Sequence, residues 1–77
     1  MKYSVLDALR LLCPLPVIRT QDAIKNLQGG DYLEVVCTDP GAKLDIPTWC
    51  RINGHAVLET RATKDEIVII IQVGNAS

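Results

Sequence analysis

The segment Cys13-Pro14-Leu15-Pro16 is the part of this 77-residue chain whose residue types are best suited to chemistry. Proline fits the first turn of a helix, where its missing N–H costs nothing, so Pro14 and Pro16 predict that a helix begins here. The cysteine sulfur should then lie near the positive end of the helix dipole, which favours the thiolate. We therefore expect Cys13 to be a rigid, exposed nucleophile.

Two arginines are candidates for lowering the pKa of this thiol further. Arg10 precedes the cysteine by three residues, and Arg19 falls within the expected helix. A thiolate beside a cation is the reacting group that a sulfur-transfer step requires. The residues alone leave a second interpretation open, in which Cys13 is a small apolar residue at a strand–helix junction.

The apolar pattern and the chain breakers predict six elements that position this segment. Strands are expected over residues 3–8, 32–38, 55–62 and 66–73, and helices from the two prolines to Gly29-Gly30 and from Asp39-Pro40 to about residue 52. The order β-α-β-α-β-β predicts an α+β fold. We expect a two-layer sandwich with both helices on one face of a four-stranded mixed sheet.

The last strand has an unusual pattern. Its segment Ile67 to Ile71 is apolar at every position, although a two-layer fold leaves one face of the sheet exposed to water. Two explanations remain open: the strand is central in the sheet, or its outer face meets a partner. Monomer and weak dimer are both compatible with this pattern.

The composition restricts the partners and the location. A net charge of −1 and a pI near 5.6 give no general attraction to nucleic acid or to anionic membranes. The longest apolar run is too short to span a bilayer, and the first residues do not resemble a signal peptide. We expect a single cytoplasmic domain over residues 1–77 that binds neither membrane nor nucleic acid directly.

The three cysteines are expected to differ in role. An odd number cannot pair fully within one chain, and without a Cys-x-x-Cys pair and with a single histidine we expect neither a metal nor another cofactor. Cys37 shares a strand face with Leu33 and Val35, so we expect it to be buried. Cys50 is either a core residue of the second helix or a second thiol that resolves or accepts sulfur.

Three further side chains are expected to be structural. Trp49 should anchor the second helix to the sheet. His55 has no acid–base partner in the sequence and is expected to be solvated or locally bonded. We expect Asp45 to be a cap or turn residue rather than a general base.

Four segments together resemble the TusA/SirA family over nearly the whole chain. They are Leu6-Asp7-Ala8-Leu9, then Cys13-Pro14-Leu15-Pro16-Val17, then Asp39-Pro40, and then Asp45-Ile46-Pro47 with Cys50 following. The resemblance implies a β-α-β-α-β-β carrier that holds sulfur as a persulfide on Cys13. It also implies a donor such as a cysteine desulfurase or rhodanese and an acceptor of the DsrE type, in tRNA thiolation, molybdenum cofactor biosynthesis or sulfur oxidation.

This chain departs from the family pattern beside the motif. Many members have Gly-Leu-Arg where this chain has Arg10-Leu11-Leu12, so the glycine and the arginine are both replaced. Leu15 stands in place of the glutamate of members that serve tRNA thiolation. Arg10 is therefore the candidate for supplying the missing positive charge from another position.

Two other functions compete with that of a sulfur carrier, which would be a covalent shuttle rather than an autonomous enzyme. A redox regulator would use a reversible disulfide between Cys13 and Cys50. A binding module would present its sheet to protein or RNA, but the acidic pI and the absence of phenylalanine argue against RNA.

Overall fold

Six elements form the fold in the computed structural model, which describes residues 2–74. They are β1 Tyr3–Ala8, α1 Leu15–Ile24, β2 Tyr32–Cys37, α2 Pro40–Ile52, β3 Ala56–Ala62 and β4 Ile67–Gln72. The predicted order and the α+β class are confirmed. Helix α1 is shorter than expected, because turns carry the chain from Lys25 to Gly30. Across residues 2–74, no helix has the length and apolar character required to cross a membrane.

The four strands form one mixed sheet in the order β1-β2-β4-β3. Strands β1 and β2 are parallel and are connected through α1, whereas β4 runs antiparallel to both β2 and β3. The last strand is therefore central. This position accounts for its continuous apolar sequence, because residues of β4 on the open face have neighbours on β2 and β3 and are half-buried.

One face of the sheet is buried beneath the helices. Alternate residues of the two central strands turn to this face and are buried, namely Leu33, Val35, Cys37, Ile67, Ile69 and Ile71. The residues between them, such as Val68 and Ile70, are half-buried on the open face. From α2, Ile46 and Cys50 contribute to the same core and are fully buried. The predicted two-layer arrangement is confirmed.

Helix α1 packs through a narrower stripe than its apolar residues predict. Its buried residues are Pro16, Thr20 and Ile24, which are spaced one turn apart. The buried hydroxyl of Thr20 donates to the Pro16 carbonyl at 2.7 Å, so its polar atom is satisfied inside the core. Val17 and Ala23, two further apolar residues of this helix, are only half-buried.

Helix α2 begins and ends where the sequence predicts. Asp39 is its N-cap, accepting a hydrogen bond from the Gly41 N–H at 3.1 Å, and Pro40 occupies the first helical position. Asn53 ends the helix, and its N–H donates to the Trp49 carbonyl at 3.0 Å. The cap matters for function because Asp39 also contacts the cysteine motif.

Candidate functional site

The cysteine motif lies where β1 passes into α1, at the carboxyl ends of the two parallel strands. The turn is held by the Leu11 N–H, which donates to the Ala8 carbonyl at 3.4 Å, and by the Arg10 N–H, which donates to the Thr38 hydroxyl at 3.0 Å. Cys13 follows as an exposed residue, and its peptide bond to Pro14 is cis. The connection thus presents the thiol at the surface.

Arg10 occupies a backbone conformation that suits glycine. Its φ is +66°, in the left-handed region that L-residues rarely adopt because Cβ approaches the following carbonyl. This is also the position at which many members of the resembled family carry glycine. Arg10 therefore adopts the left-handed conformation without the glycine that best suits it, which leaves some backbone strain at this residue.

Replacing Arg10 with glycine is expected to stabilise the protein. Relief of the left-handed strain outweighs the additional freedom of glycine in the unfolded chain, so the free energy of unfolding should rise by about 0.5–1 kcal/mol. Urea denaturation measures the change. The matched control is Arg10→Ala, which also removes the charge but keeps Cβ and should give no such gain. Equal stabilisation by both substitutions would assign the effect to the charge instead.

Two carboxylates hold Cys13, one at the N-cap of α2 and one inside that helix. The Cys13 N–H donates to Asp39 Oδ2 at 2.6 Å, and the Cys13 thiol donates to Asp45 Oδ2 at 2.8 Å. Asp39 therefore joins the N-cap of α2 to the backbone of the motif. Asp45 lies six residues further along the same helix and reaches the sulfur itself.

The expectation of a lowered thiol pKa is wrong. The hydrogen bond to Asp45 raises the pKa of Cys13 to about 11, assisted by desolvation and by the negative charges of Asp45 and Asp39. The helix end gives little compensation, because Pro14 and Pro16 have no N–H and the Leu15 N–H donates to the Leu12 carbonyl at 2.9 Å. The prolines that shape the motif thus also remove donors that would stabilise a thiolate.

The two arginines do not supply the expected counter-charge. Arg10 and Arg19 are both exposed, and neither forms an ion pair within residues 2–74. The charges that affect the thiol pKa are those of Asp39 and Asp45. The predicted activation of Cys13 by an arginine is therefore not found in this conformation.

The interpretation of Asp45 as a cap or turn residue is also wrong. It lies inside α2 and its carboxylate contacts the Cys13 sulfur, which comes from a segment 32 residues earlier. Sequence reasoning missed this contact because it depends on how α1 and α2 pack together. The one available signal was the Asp45-Ile46-Pro47 segment, which accompanies the cysteine motif in the resembled family.

The other two cysteines lie in the core. Cys37 and Cys50 are both fully buried, and burial raises the pKa of each thiol, that of Cys50 to about 11. All three cysteines are free. The burial predicted for Cys37 is confirmed. Cys50 has the position expected of a core residue, and its sulfur is closed to solvent in this conformation.

Exposed leucines flank the thiol and its acidic partner in the chain. Leu12 immediately precedes Cys13 and is 74% exposed, and Leu15, two residues after it, is 42% exposed. Leu44 immediately precedes Asp45 and is 72% exposed. Exposed apolar side chains thus neighbour both residues of the thiol–carboxylate contact in the sequence.

His55 and Trp49 form a separate structural contact. The two rings stack with their centroids 5.3 Å apart, and His55 Nδ1 accepts a hydrogen bond from the Gly74 N–H at 2.9 Å. Burial lowers the pKa of His55, which favours the neutral ring that this bond requires. The imidazole is thus locally bonded. Over residues 2–74, no three histidine, cysteine, aspartate or glutamate side chains are grouped so as to hold a metal ion.

Comparison with known proteins places this arrangement in a family. The family model described as "Sulfurtransferase TusA" matches residues 4–73. The chain is 44% identical over 71 residues to "Putative sulfur carrier protein YrkI" of Bacillus subtilis strain 168, a match covering 92% of this chain and 95% of the relative. YrkF of the same strain, which has the same description, is 41% identical over 58 residues, covering 75% of this chain but 31% of the relative. "Sulfur carrier protein TusA" of Pseudomonas putida strain GB-1 is 43% identical over 56 residues, covering 73% and 70% of the two chains. The chain therefore belongs to the TusA family.

Proposed function

We propose that this protein is a sulfur carrier in which Cys13 accepts sulfane sulfur as a persulfide and passes it to a thiol of a partner protein. The observation that carries the proposal is the exposure of the Cys13 thiol, in contrast to the full burial of Cys37 and Cys50. An exposed sulfur on a surface turn can reach the sulfur of another protein. The relatives are described as sulfur carrier proteins, which supports sulfur as the group that is carried.

The chemistry is thiol–persulfide exchange. The Cys13 thiolate attacks the outer sulfur of a donor persulfide, so that a new S–S bond forms at Cys13 as the donor's S–S bond breaks. The electron pair of the broken bond leaves with the donor sulfur, which becomes a thiol on taking up the proton released by Cys13. Delivery repeats the exchange with an acceptor thiolate as the nucleophile. No oxidant, metal or organic cofactor enters either step.

The partners follow from the resemblance and from the surface. The donor is a protein of the cysteine desulfurase or rhodanese type, and the acceptor is a protein of the DsrE type. We infer that exposed Leu12, Leu15 and Leu44 form part of the docking surface, because they flank the thiol and Asp45 in the chain. We place the protein in the cytoplasm, where thiols are kept reduced, with residues 1–77 as one carrier domain in one of the family's relays.

A disulfide switch is less well supported by the same site. A pair between Cys13 and Cys50 requires Cys50 to leave the core, where it is fully buried. Breaking the packing of α2 for this purpose carries a cost that a carrier does not incur. The carrier mechanism uses the thiol in the position it already occupies.

Intact-mass measurement separates these functions. The reduced protein is incubated with a sulfane-sulfur donor and weighed as wild type, Cys13→Ser and Cys50→Ser. We expect the wild type and Cys50→Ser to gain one sulfur atom and Cys13→Ser to gain none. An unmodified wild type, or sulfur on Cys13→Ser, would exclude Cys13 as the carrier. Loss of two hydrogens that requires both cysteines would indicate the disulfide switch.

A further inference from the structure

The contact between Cys13 and Asp45 has a consequence for how sulfur transfer begins. The thiol sulfur and the carboxylate oxygen are 2.8 Å apart, and Cys13 and Asp45 are both exposed. Asp39 holds the backbone of the same cysteine through its N–H at 2.6 Å. Two side chains of α2 therefore determine both the position and the charge environment of the thiol.

This geometry requires a proton between the two atoms. A thiolate and a carboxylate cannot both be ionised at such a distance without strong repulsion. The proton stays on sulfur, because a thiolate is ordinarily a stronger base than a carboxylate. The raised pKa of about 11 agrees, since it leaves roughly one thiol in ten thousand ionised at pH 7.

The charged groups around Cys13 do not favour loss of the thiol proton. Helix α2 contributes the two carboxylates of Asp39 and Asp45, which both raise the thiol pKa. The loop before the motif contributes Arg10 and helix α1 contributes Arg19, but neither forms an ion pair within the described residues. The missing element is thus a cation beside Asp45, and the described part of the chain does not supply it.

We propose that Asp45 is a positioning residue that keeps the Cys13 thiol protonated and unreactive in the free carrier, and that a partner releases it by pairing a cationic side chain with this carboxylate. The inference rests on the proposed function, because it concerns when the carrier thiol reacts. Opposite charge identifies the partner group: an arginine or lysine near the partner's own reactive sulfur. A carrier restrained in this way avoids indiscriminate modification between partners.

Sulfur transfer to the released Cys13 thiol balances without another reactant. When the cation engages Asp45, the S–H···O bond breaks and the thiol gives its proton to a base of the surrounding solution. The thiolate then attacks the outer sulfur of the donor persulfide, and the donor leaves as a thiolate. That thiolate takes a proton back from solution, so neither charge nor redox state changes overall.

Alkylation of the 77-residue chain by iodoacetamide between pH 6 and 10 tests the restraint, with the modified residue identified by mass. In Asp45→Asn the charge is lost at nearly constant shape, so the thiol pKa should fall from about 11 toward the ordinary 9.0. The thiolate fraction at pH 8 then rises by about 100-fold. Each thiolate is roughly 10-fold less reactive, because a weaker base is a weaker nucleophile. We expect Cys13 to react about 10-fold faster than in the wild type.

The control is Asp22→Asn, the same change at an exposed aspartate on α1 that forms a 3.8 Å surface ion pair with Lys25. It should leave the alkylation profile unchanged. Slower or unaltered alkylation of Asp45→Asn, with its far-UV spectrum intact, would overturn the restraint. Alkylation does not measure sulfur loading, so such a result would contradict the restraint and not the carrier function. Failure of the protein to load sulfur would contradict the carrier function and not the restraint.

A second variant tests the role of the cation. Asp45→Lys supplies within the chain the positive charge that we assign to the partner, and a cation beside a thiol favours the thiolate. Its alkylation profile should have a lower midpoint pH than that of Asp45→Asn. A midpoint equal to or above that of Asp45→Asn would refute release by a cation.

Discussion

Replacing Ile69 with alanine is expected to cost the protein about 2–5 kcal/mol of unfolding free energy. Ile69 is fully buried in the central strand β4, where it lies between Val35 of β2 and Thr60 of β3. Truncation leaves a cavity beneath the helices that a small core cannot easily close. Because a domain of this size has only about 4–12 kcal/mol of stability, the loss should be visible as a large drop in the urea midpoint.

The adjacent residue is the matched control for this experiment. Ile70→Ala makes the same chemical change in the same strand, with the same loss of strand propensity, but on the half-buried open face. We expect it to cost about 1 kcal/mol. Equal losses at the two positions, or a larger loss at Ile70, would mean that the helices do not cover the face assigned to them.

Replacing Gly74 with alanine is the second substitution expected to have a large effect. An added Cβ would lie 1.8 Å from the Gly54 carbonyl oxygen, a backbone atom that a side-chain rotation cannot move. The chain must shift there, and the shift also threatens the bond from the Gly74 N–H to His55. We expect a loss of about 1–3 kcal/mol in urea denaturation.

Gly41 provides the control for this prediction. A Cβ at Gly41 would meet its nearest neighbour, Asp39 Oδ1, at an ordinary 3.5 Å. Since Gly41 lies within α2, alanine should leave stability unchanged or raise it by up to about 1 kcal/mol. If Gly74→Ala were as well tolerated as Gly41→Ala, the close approach of residues 54 and 74 would be contradicted.

Local patterns predicted most of the fold. The alternation in β2 correctly indicated that Leu33, Val35 and Cys37 are buried, because strand residues two apart share a face. Asp39-Pro40 correctly marked the start of α2, because capping and proline preferences are local, and its predicted end near residue 52 is also correct. The burial of Thr20 was not predicted, since a threonine becomes compatible with the core only through its bond to the Pro16 carbonyl.

The electrostatics of the site could not be predicted from local patterns. Sequence reasoning placed Cys13 at a helix end and inferred a lowered pKa, but the docking of α2 brings Asp45 to the sulfur and reverses the direction. The left-handed conformation of Arg10 could not be predicted either, because it depends on the surrounding structure. Arginine has no preference for it, so only the surrounding turn reveals it.

These findings separate where the reactive sulfur lies from when it reacts. The turn between β1 and α1 exposes Cys13, while Asp39 and Asp45 of the neighbouring helix hold it as a neutral thiol. Exposure suits exchange with another protein. In our proposal the carboxylates delay this exchange until a cationic side chain of the partner pairs with Asp45. In this proposal the restraint acts when sulfur is loaded, because Cys13 is the nucleophile only in that step, and it favours a donor that carries the cation.

Cyanide treatment of the sulfur-loaded protein tests the central claim most directly, because cyanide removes only sulfane sulfur, releasing thiocyanate and restoring the thiol. The protein is loaded with inorganic polysulfide, freed of excess donor and treated with cyanide. We expect about one thiocyanate per wild-type chain, the return of its mass to that of the unloaded protein, and no thiocyanate from Cys13→Ser. Equal thiocyanate from wild type and Cys13→Ser, or none from the wild type, would contradict the proposal that Cys13 carries transferable sulfur.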